Sequence, residues 1–338
     1  RVARALEVVS KTDLAARILQ AMGLNGPVPA LLVLLGHGSQ SANNPQAAGL
    51  DCGACCGQSG EVNARLLAGL LNDREVRAEL RLRGHDLPAH CHVLAGLHNT
   101  TTDEVQVFAH ASIPAALQAD WLRVRQALDL AAAQVRQERA SGLGLTALEG
   151  QPVKLLDRLR RRARDWSQTR PEWGLANNAA FIAAPRARTR GVDLQGRAFL
   201  HDYDWREDAE GAVLELIMTA PMVVAHWINL QYFTSTTDNA RFGSGNKLLH
   251  NVVGGHIGVF EGNGGDLRIG LARQSLHDGQ QWRHRPLRLH VVIDAPQAMI
   301  DRVIDNHAVV RDLVLHGWLY LLRMDGQPAQ LERRTATG

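Results

Sequence analysis

The chain has 338 residues, which is long enough for two domains with separate hydrophobic cores. Hydrophobic residues make up 45% and charged residues 21%, which excludes a disordered or fibrous protein. The net charge of +3 permits contact with an anionic membrane surface, but it is too small to predict nucleic-acid binding.

The beginning of the chain predicts a helix, a strand and a second helix. Apolar residues at helical spacing predict a helix over residues 1–23, and the run ALLVLL at residues 30–35 predicts a buried parallel strand. His37 follows this run at the carboxyl end of the strand, where ligands collect in open α/β sheets. A polar loop then leads to a helix that starts near residue 61.

The rest of the first half continues this alternation. We expect a helix over residues 73–83, strands over 90–97 and 104–109, and a long helix over 114–140. Such alternation is typical of an α/β layer with a parallel sheet. The segment 142–150 is the best boundary, so residues 1–141 form the first predicted domain.

Residues 142–338 form the second predicted domain. It opens with an arginine-rich helix, whose exposed face carries Arg158, Arg160, Arg161, Arg162 and Arg164. This face is either simply solvated or a contact for acidic lipid or an acidic partner. Glycine-rich sequence with short strands follows and predicts an α+β domain. We expect no membrane-spanning helix, because the most apolar stretch, 213–233, contains Glu, Pro, His, Asn and Gln.

The cysteines point to chemistry rather than to disulfides. Of the four cysteines, Cys52, Cys55 and Cys56 fall within five residues, which suits a reducing compartment and a metal or redox role. His37 and Cys52 are the candidate metal ligands, because His37 at the strand end is aimed at the region of the thiols and a helix begins just after them. Two alternatives stay open: a redox pair formed by Cys52 and Cys55, and cysteines that only fill a crowded helix start.

Three polar residues are candidates for supporting a metal site through hydrogen bonds to its ligands. His98 and Asp103 follow a neighbouring strand, and Asp51 directly precedes Cys52. Other clusters are less specific. The group His201, Asp202 and Asp204 is common on ordinary surfaces, and the glycine-rich segments 243–245 and 262–265 lack the phosphate-loop pattern.

Long motifs resemble the DabA family, the large soluble subunit of a two-part inorganic carbon pump. The resemblance is carried by GHGSQSANNPQAAGLDCGAC at residues 36–55, by LHNTTTDEV at 97–105 and by RDWSQTRPEWGLANNAAFIAAPR at 164–186. It continues through APMVVAHWINLQYF and GNKLLHNVVGGHIGVFEGNGGDLRIGLARQSLHDG to HGWLYLL, and so covers nearly the whole chain.

The resemblance implies a core similar to β-carbonic anhydrase, with Zn²⁺ bound by two Cys, one His and one Asp. His37 of the GHGS motif and Cys52 of the DCGAC motif match two of these ligands. The other two belong to a Cys-x-Asp element upstream of GHGS, and no match to it precedes Ala30. We therefore expect this chain to correspond to the C-terminal part of the subunit. Cys56 stands where the family usually has Gly, and its thiol adds a possible oxidation site.

The implied function is hydration of CO₂ to bicarbonate, coupled to its accumulation in the cytoplasm. A DabB-like integral membrane subunit that conducts protons would be the partner, and the chain would lie on the cytoplasmic side of the inner membrane as a peripheral protein. The apolar segment 219–233 is either core or, through Trp227 and Tyr232, the surface that contacts this partner. Two other functions remain open: a stand-alone soluble zinc hydrolase, and a non-catalytic interaction module with structural cysteines.

Overall fold

The computed structural model describes residues 8–24, 28–42, 44, 47, 50–52, 55, 57–168, 173–253, 258–263, 265–324 and 331–334. These residues form two compact units. The first contains the described residues up to 20 and those between 24 and 174, and the second contains residues 21–23 and the described residues from 175 onward. Helices and strands are mixed in both units, which confirms the predicted α/β class.

The first unit has a small three-stranded sheet with helices. Its elements are α1 (Val8–Ala21), β1 (Leu31–Gly38), α2 (Glu61–Asn72), α3 (Arg74–Leu82), β2 (His92–Asn99), β3 (Glu104–Val107), α4 (Gln118–Ala140) and α5 (Pro152–Arg164). Strands β1 and β2 are parallel as expected, whereas β3 is antiparallel to β2. The expectation of a purely parallel layer is wrong here, because a tight turn at residues 100–103 returns the chain directly alongside β2.

Helix α2 covers one face of this sheet. Its buried side chains, Ala64, Leu67, Ala68 and Leu71, join a core cluster with Leu34 of β1 and Val93 and Ala95 of β2. The apolar face of α2 and the apolar side chains of β1 and β2 therefore form one core. Each Å² of apolar surface buried there stabilises the fold by about 25 cal/mol. Asp73 separates α2 from α3, since its carboxylate accepts the backbone N–H groups of Glu75 and Val76.

Helix α5 packs within the first unit. Leu155 and Leu159 lie in a buried cluster with Ala140, Leu143 and Leu145, at the end of α4 and in the segment after it. The sequence placed a domain boundary at residue 142, whereas the compact units divide near residue 174. The difference arises because the apolar side of the arginine-rich helix packs against residues 140–145 and so belongs to the first unit. Its face was also predicted to expose Arg162, but the Arg162 guanidinium donates to the carbonyl oxygen of Leu143 at 2.6 Å.

The second unit is built on a five-stranded sheet. Its elements are β4 (Ala180–Ala184), β5 (Ala198–Asp202), α6 (Ala212–Thr219), α7 (Pro221–Thr237), α8 (Asn239–Phe242), β6 (His250–Val253), β7 (Gly258–Glu261), β8 (His290–Asp294), α9 (Gln297–Asn306), α10 (Ala308–Leu315), β9 (Tyr320–Met324) and β10 (Leu331–Arg333). The sheet order is β10-β9-β8-β4-β5, and β6 pairs with β7 separately.

Parallel pairing in this sheet differs from the expected α+β arrangement. Strands β5, β4, β8 and β9 are parallel, and β10 is antiparallel to β9. The helices α6, α9 and α10 pack on this sheet, with Leu214, Ile300 and Val310 buried against Val291 and Leu321. Because helices connect several of the strands, the strands can run in the same direction.

The stretch 212–237 is a long apolar helical region of the second unit. By length and composition alone it could cross a membrane, contrary to the expectation from its polar residues, and half of its most apolar window is buried. Ala220 divides it into α6 and α7. Met218 and Met222 are buried in the core of the second unit, so the packing favours a core position.

Candidate functional site

The candidate site lies at the carboxyl end of β1. His37 is directly opposite His98 in the parallel pairing of β1 with β2, so the two imidazoles share one face of the sheet. Burial lowers the pKa of His37, the neighbouring His98 lowers it further, and Asp51 partly offsets the shift. His37 is therefore neutral near pH 7, and neutral imidazole is the form that binds metal.

A close backbone approach fixes His37 against the start of α2. The N–H of Gly60 donates to the carbonyl oxygen of His37 at 2.8 Å. A Cβ atom on Gly36 would lie 2.4 Å from the carbonyl oxygen of Gly60, and one on Gly60 would lie 2.9 Å from the His37 nitrogen. Only glycine fits this approach at both positions, since real Cβ atoms do not come so near to backbone atoms.

The loop that carries Cys52 closes on itself just before this contact. The N–H of Cys52 donates to the carbonyl oxygen of Gln58 at 3.1 Å, and the N–H groups of Cys55 and Gly57 donate to the carbonyl oxygen of Cys52. Gln58 stands two residues before Gly60, which bonds to His37. These backbone hydrogen bonds connect the Cys52 loop, through Gln58 and Gly60, to the end of β1. The role of Cys52 as a metal ligand stays a prediction.

Asp51 ties the other side of the loop to the same strand end. One carboxylate oxygen of Asp51, Oδ1, accepts the backbone N–H of Ser39 at 2.6 Å and the Ser39 hydroxyl at 2.9 Å. The same oxygen would lie 3.7 Å from a Cβ on Gly38. Asp51 therefore positions the segment before Cys52 as well as contributing negative charge beside His37. Its predicted role in supporting metal ligands stays a prediction.

His98 and Asp103 form a second charged group beside His37. Asp103 is buried, and its Oδ1 atom lies 3.1 Å from Nε2 of His98, while its Oδ2 atom pairs with Arg139 of α4. Arg139 also donates to the carbonyl oxygen of Thr100, and Arg136 donates to that of Thr102. A carboxylate between an imidazole and a guanidinium holds the His98 ring in one orientation. His98 lies within β2 rather than in the predicted turn.

The donor types present at this site fit zinc, but only in part. A neutral imidazole and a thiol are the ligands that Zn²⁺ prefers, and a structural or catalytic site needs three or four protein ligands. Among the residues that the structure describes, no group of three or more His, Cys, Asp and Glu side chains could hold a metal ion. His37 and Cys52 would therefore supply two positions, and the remainder must come from other residues.

The other cysteines have different surroundings. The Asn63 amide lies 3.2 Å from the Cys55 sulfur, so this thiol contacts the first turn of α2. Cys91 is buried in the core of the first unit, and burial raises the pKa of its thiol. Cys56 lies outside the described residues. The sites proposed at Cys55 for redox chemistry and at Cys56 for oxidation stay predictions.

Sequence reasoning missed three residues that shape this site. Ser39, Arg136 and Arg139 bind Asp51, the turn at residues 100–103 and Asp103, respectively. Ser39 stands two residues after His37, and this proximity in sequence could have identified it as a residue of the site. The two arginines lie more than 30 residues from their partners in sequence, so local patterns could not identify them.

Comparison with known proteins identifies relatives along the whole chain. The sequence profile described as "Probable inorganic carbon transporter subunit DabA" matches residues 3–319. A protein of that name from Ectopseudomonas mendocina is 71% identical over 98% of this chain, and this alignment covers 41% of the relative. Proteins of the same name from Methylovorus glucosotrophus and Paracidovorax citrulli are 60% and 61% identical over 95% and 97% of the chain, and 38% and 40% of the relatives.

These curated relatives are much longer than the aligned region. The chain spans about two fifths of the length of the relatives it matches. No solved structure gives a significant match. The profile match extends over more than nine tenths of the chain and includes the segments that carry His37, Cys52 and His98. The chain therefore belongs to the DabA family of probable inorganic carbon transporter subunits.

Proposed function

We propose that this chain is the part of an inorganic carbon pump subunit that contributes His37 and Cys52 to a zinc site for hydrating CO₂ to bicarbonate. The observation that carries the proposal is the double attachment of the Cys52 loop to the end of β1, through Asp51 to Ser39 and through Gly60 to His37. This attachment fixes the backbone of the Cys52 loop at the strand end that carries the neutral imidazole of His37. Relatives that carry the name inorganic carbon transporter subunit supply the substrate class.

Each group around the strand end has a separate task in this proposal. Burial keeps His37 unprotonated and ready to donate its lone pair. Asp103 and Arg139 hold His98 beside it. Asp51 fixes the loop before Cys52. Bound zinc would supply Lewis-acid activation of water for addition to CO₂. The complete ligand set would require a Cys-x-Asp element from the remainder of the subunit.

We further propose an energy-coupled role at the inner membrane. A DabB-like, proton-conducting membrane subunit would drive net accumulation of bicarbonate, with this chain bound as a peripheral protein on the cytoplasmic side. The relatives' description as transporter subunits supports a partner. The β-carbonic anhydrase-like character of the first unit belongs to the same proposal and is supported by its α/β sheet.

The experiment combines this chain with the remainder of the subunit and with a DabB-like protein in cells that lack their own carbonic anhydrase. We expect labelled inorganic carbon to accumulate, and we expect a protonophore or the change His37→Ala to abolish accumulation. Hydration without the membrane protein would favour a stand-alone zinc hydrolase. Normal accumulation in both His37→Ala and Cys52→Ser would favour a non-catalytic interaction module.

A further inference from the structure

A cleft of about 760 Å³ opens on the first unit at the edge of the sheet where β1 and β2 begin. Its walls include Cys91 and His92 at the start of β2, residues of α3, and the segment before α4. The candidate zinc site lies at the opposite edge of the same strands, about 25 Å away along eight residues. The cleft volume falls in the range of small-molecule sites, roughly 300–1,000 Å³.

Three arginines of α3 give this cleft its charge. Arg74, Arg77 and Arg81 stand at positions i, i+3 and i+7 of the helix, so they lie along one face, with Ala78 between them. His90 and His92 add imidazoles to the same wall. Among the described residues that line the cleft, none is Asp or Glu. The cleft therefore concentrates positive charge with no acidic residue in its wall.

The charge of Arg77 is fixed in place without being neutralised. Its guanidinium donates to the carbonyl oxygens of Leu71, Pro88 and Cys91 and to the side-chain oxygen of Asn72, which are all uncharged acceptors. Four acceptors hold the side chain in one position, so an incoming anion would meet a preorganised cation. Among the described residues, the Arg74 guanidinium has no hydrogen-bond or ion-pair partner.

Among the described residues, Arg81 is the member of this arginine row that pairs with a carboxylate. Arg81 pairs with Asp86 at 2.9 Å, and both side chains are exposed. An exposed pair contributes little, roughly 0–1 kcal/mol, and it does not compensate Arg74 or Arg77. Two of the three guanidinium charges thus face the cleft without a carboxylate partner.

The cleft also has an apolar wall. Its exposed residues are Ala89, Pro114 and Ala116, and Leu87 and Leu117, both buried, line the cleft with them. An inorganic ion alone would leave this wall in contact with water, whereas an organic anion would cover it. We propose that this cleft binds a small organic anion, with a phosphate or carboxylate head against Arg74 and Arg77 and an apolar body against Pro114 and Ala116.

The test uses the fluorescent anion 1-anilinonaphthalene-8-sulfonate, which combines a sulfonate with an aromatic body, in titrations of the whole chain. The variant Ala78→Glu places a carboxylate in the middle of the arginine row, and Ala78→Gln is its size-matched neutral control. We expect Ala78→Glu to weaken the cleft component of binding by about tenfold, the loss of one charge-assisted hydrogen bond. Ala78→Gln should bind nearly as well as the unchanged chain.

Arg74→Gln and Arg158→Gln form a second matched pair. Both arginines are exposed helix residues, but only Arg74 lines the cleft. We expect Arg74→Gln to weaken binding and Arg158→Gln to leave it unchanged, with equal thermal unfolding midpoints for both. Displacement of the dye by phenyl phosphate or by benzoate then identifies the preferred head group. Equal binding by Ala78→Glu and Ala78→Gln, or displacement by neither anion, would overturn the proposal.

Discussion

His37 and His98 are register partners on the parallel strands β1 and β2, and each is tied to a different part of the first unit. The His37 carbonyl accepts the N–H of Gly60 at the start of α2. The His98 ring contacts the buried carboxylate of Asp103, which also pairs with Arg139 of α4. The pairing of the two histidines therefore places the candidate zinc ligand His37 next to a group of three residues in contact, His98, Asp103 and Arg139.

Two substitutions at Asp103 should separate the effect of its charge on stability from the effect of its backbone conformation. Asp103 has a φ of 55°, a left-handed conformation that Asn tolerates better than Ala. We expect Asp103→Ala to lower the free energy of unfolding by about 2–4 kcal/mol, because it removes the carboxylate that pairs with Arg139 and strains the turn. Asp103→Asn should cost less. Urea denaturation measures both, and equal small losses below about 0.5 kcal/mol would contradict this account.

The contact between Gly36 and Gly60 should tolerate no side chain. In Gly36→Ala the new Cβ would lie 2.4 Å from the Gly60 carbonyl oxygen, so one backbone segment must move. We expect a loss of about 1–3 kcal/mol in the free energy of unfolding. Gly69→Ala is the control, because no atom lies within 4 Å of its added Cβ in α2. That change should stabilise by roughly 0.5–1 kcal/mol. Equal effects at the two glycines would contradict the close approach.

His284 should make the second unit sensitive to mild acid. It is fully buried, its Nδ1 atom accepts the N–H of Asn177, and burial followed by the charge of Arg197 lowers its pKa to about 4. The unfolded chain binds this proton near pH 6.5 and the folded chain only near pH 4. Stability from this residue is therefore complete above pH 6.5 and lost as the pH falls toward 4, by up to about 3 kcal/mol.

The check on His284 is a comparison of slopes. The free energy of unfolding is measured between pH 4 and 7 for the unchanged chain and for His284→Gln, which cannot titrate. We expect the variant to be less stable at pH 7 and to lose less stability on acidification, because the proton uptake of the unfolded His284 is gone. Identical slopes would show that His284 is not held neutral by its burial.

The two aromatic residues suggested as a partner-binding surface should now behave differently. Trp227 is 62% exposed, whereas Tyr232 is fully buried, and its hydroxyl accepts the N–H of Leu175. Of the two alternatives for Tyr232, core residue and partner contact, its burial supports the core position. We expect Tyr232→Ala to cost about 3–5 kcal/mol and Trp227→Ser to cost less than about 1 kcal/mol. Thermal unfolding measures both losses of stability. A large loss of stability in Trp227→Ser would contradict a partner-binding role for Trp227.

Local patterns predicted much of the fold but few of the contacts that shape the site. The apolar run before His37, the helical spacing after residue 61 and the cap at Asp73 are properties of adjacent residues, so β1, α2 and α3 could be predicted. The return of β3 alongside β2 and the pairing of Arg139 with Asp103 depend on the path of the whole chain. Tyr232 was ambiguous for the same reason, because apolar composition alone does not distinguish core from docking surface.

The zinc content of this chain, joined to the remainder of its subunit, tests the central claim most directly. We predict about one zinc per chain, with the metal lost in His37→Ala and in Cys52→Ser but retained in Cys55→Ser, whose sulfur contacts Asn63. The 338-residue chain alone should bind zinc only weakly, because it supplies two ligands. Retention of zinc in both His37→Ala and Cys52→Ser, or its loss only in Cys55→Ser, would contradict the proposed site.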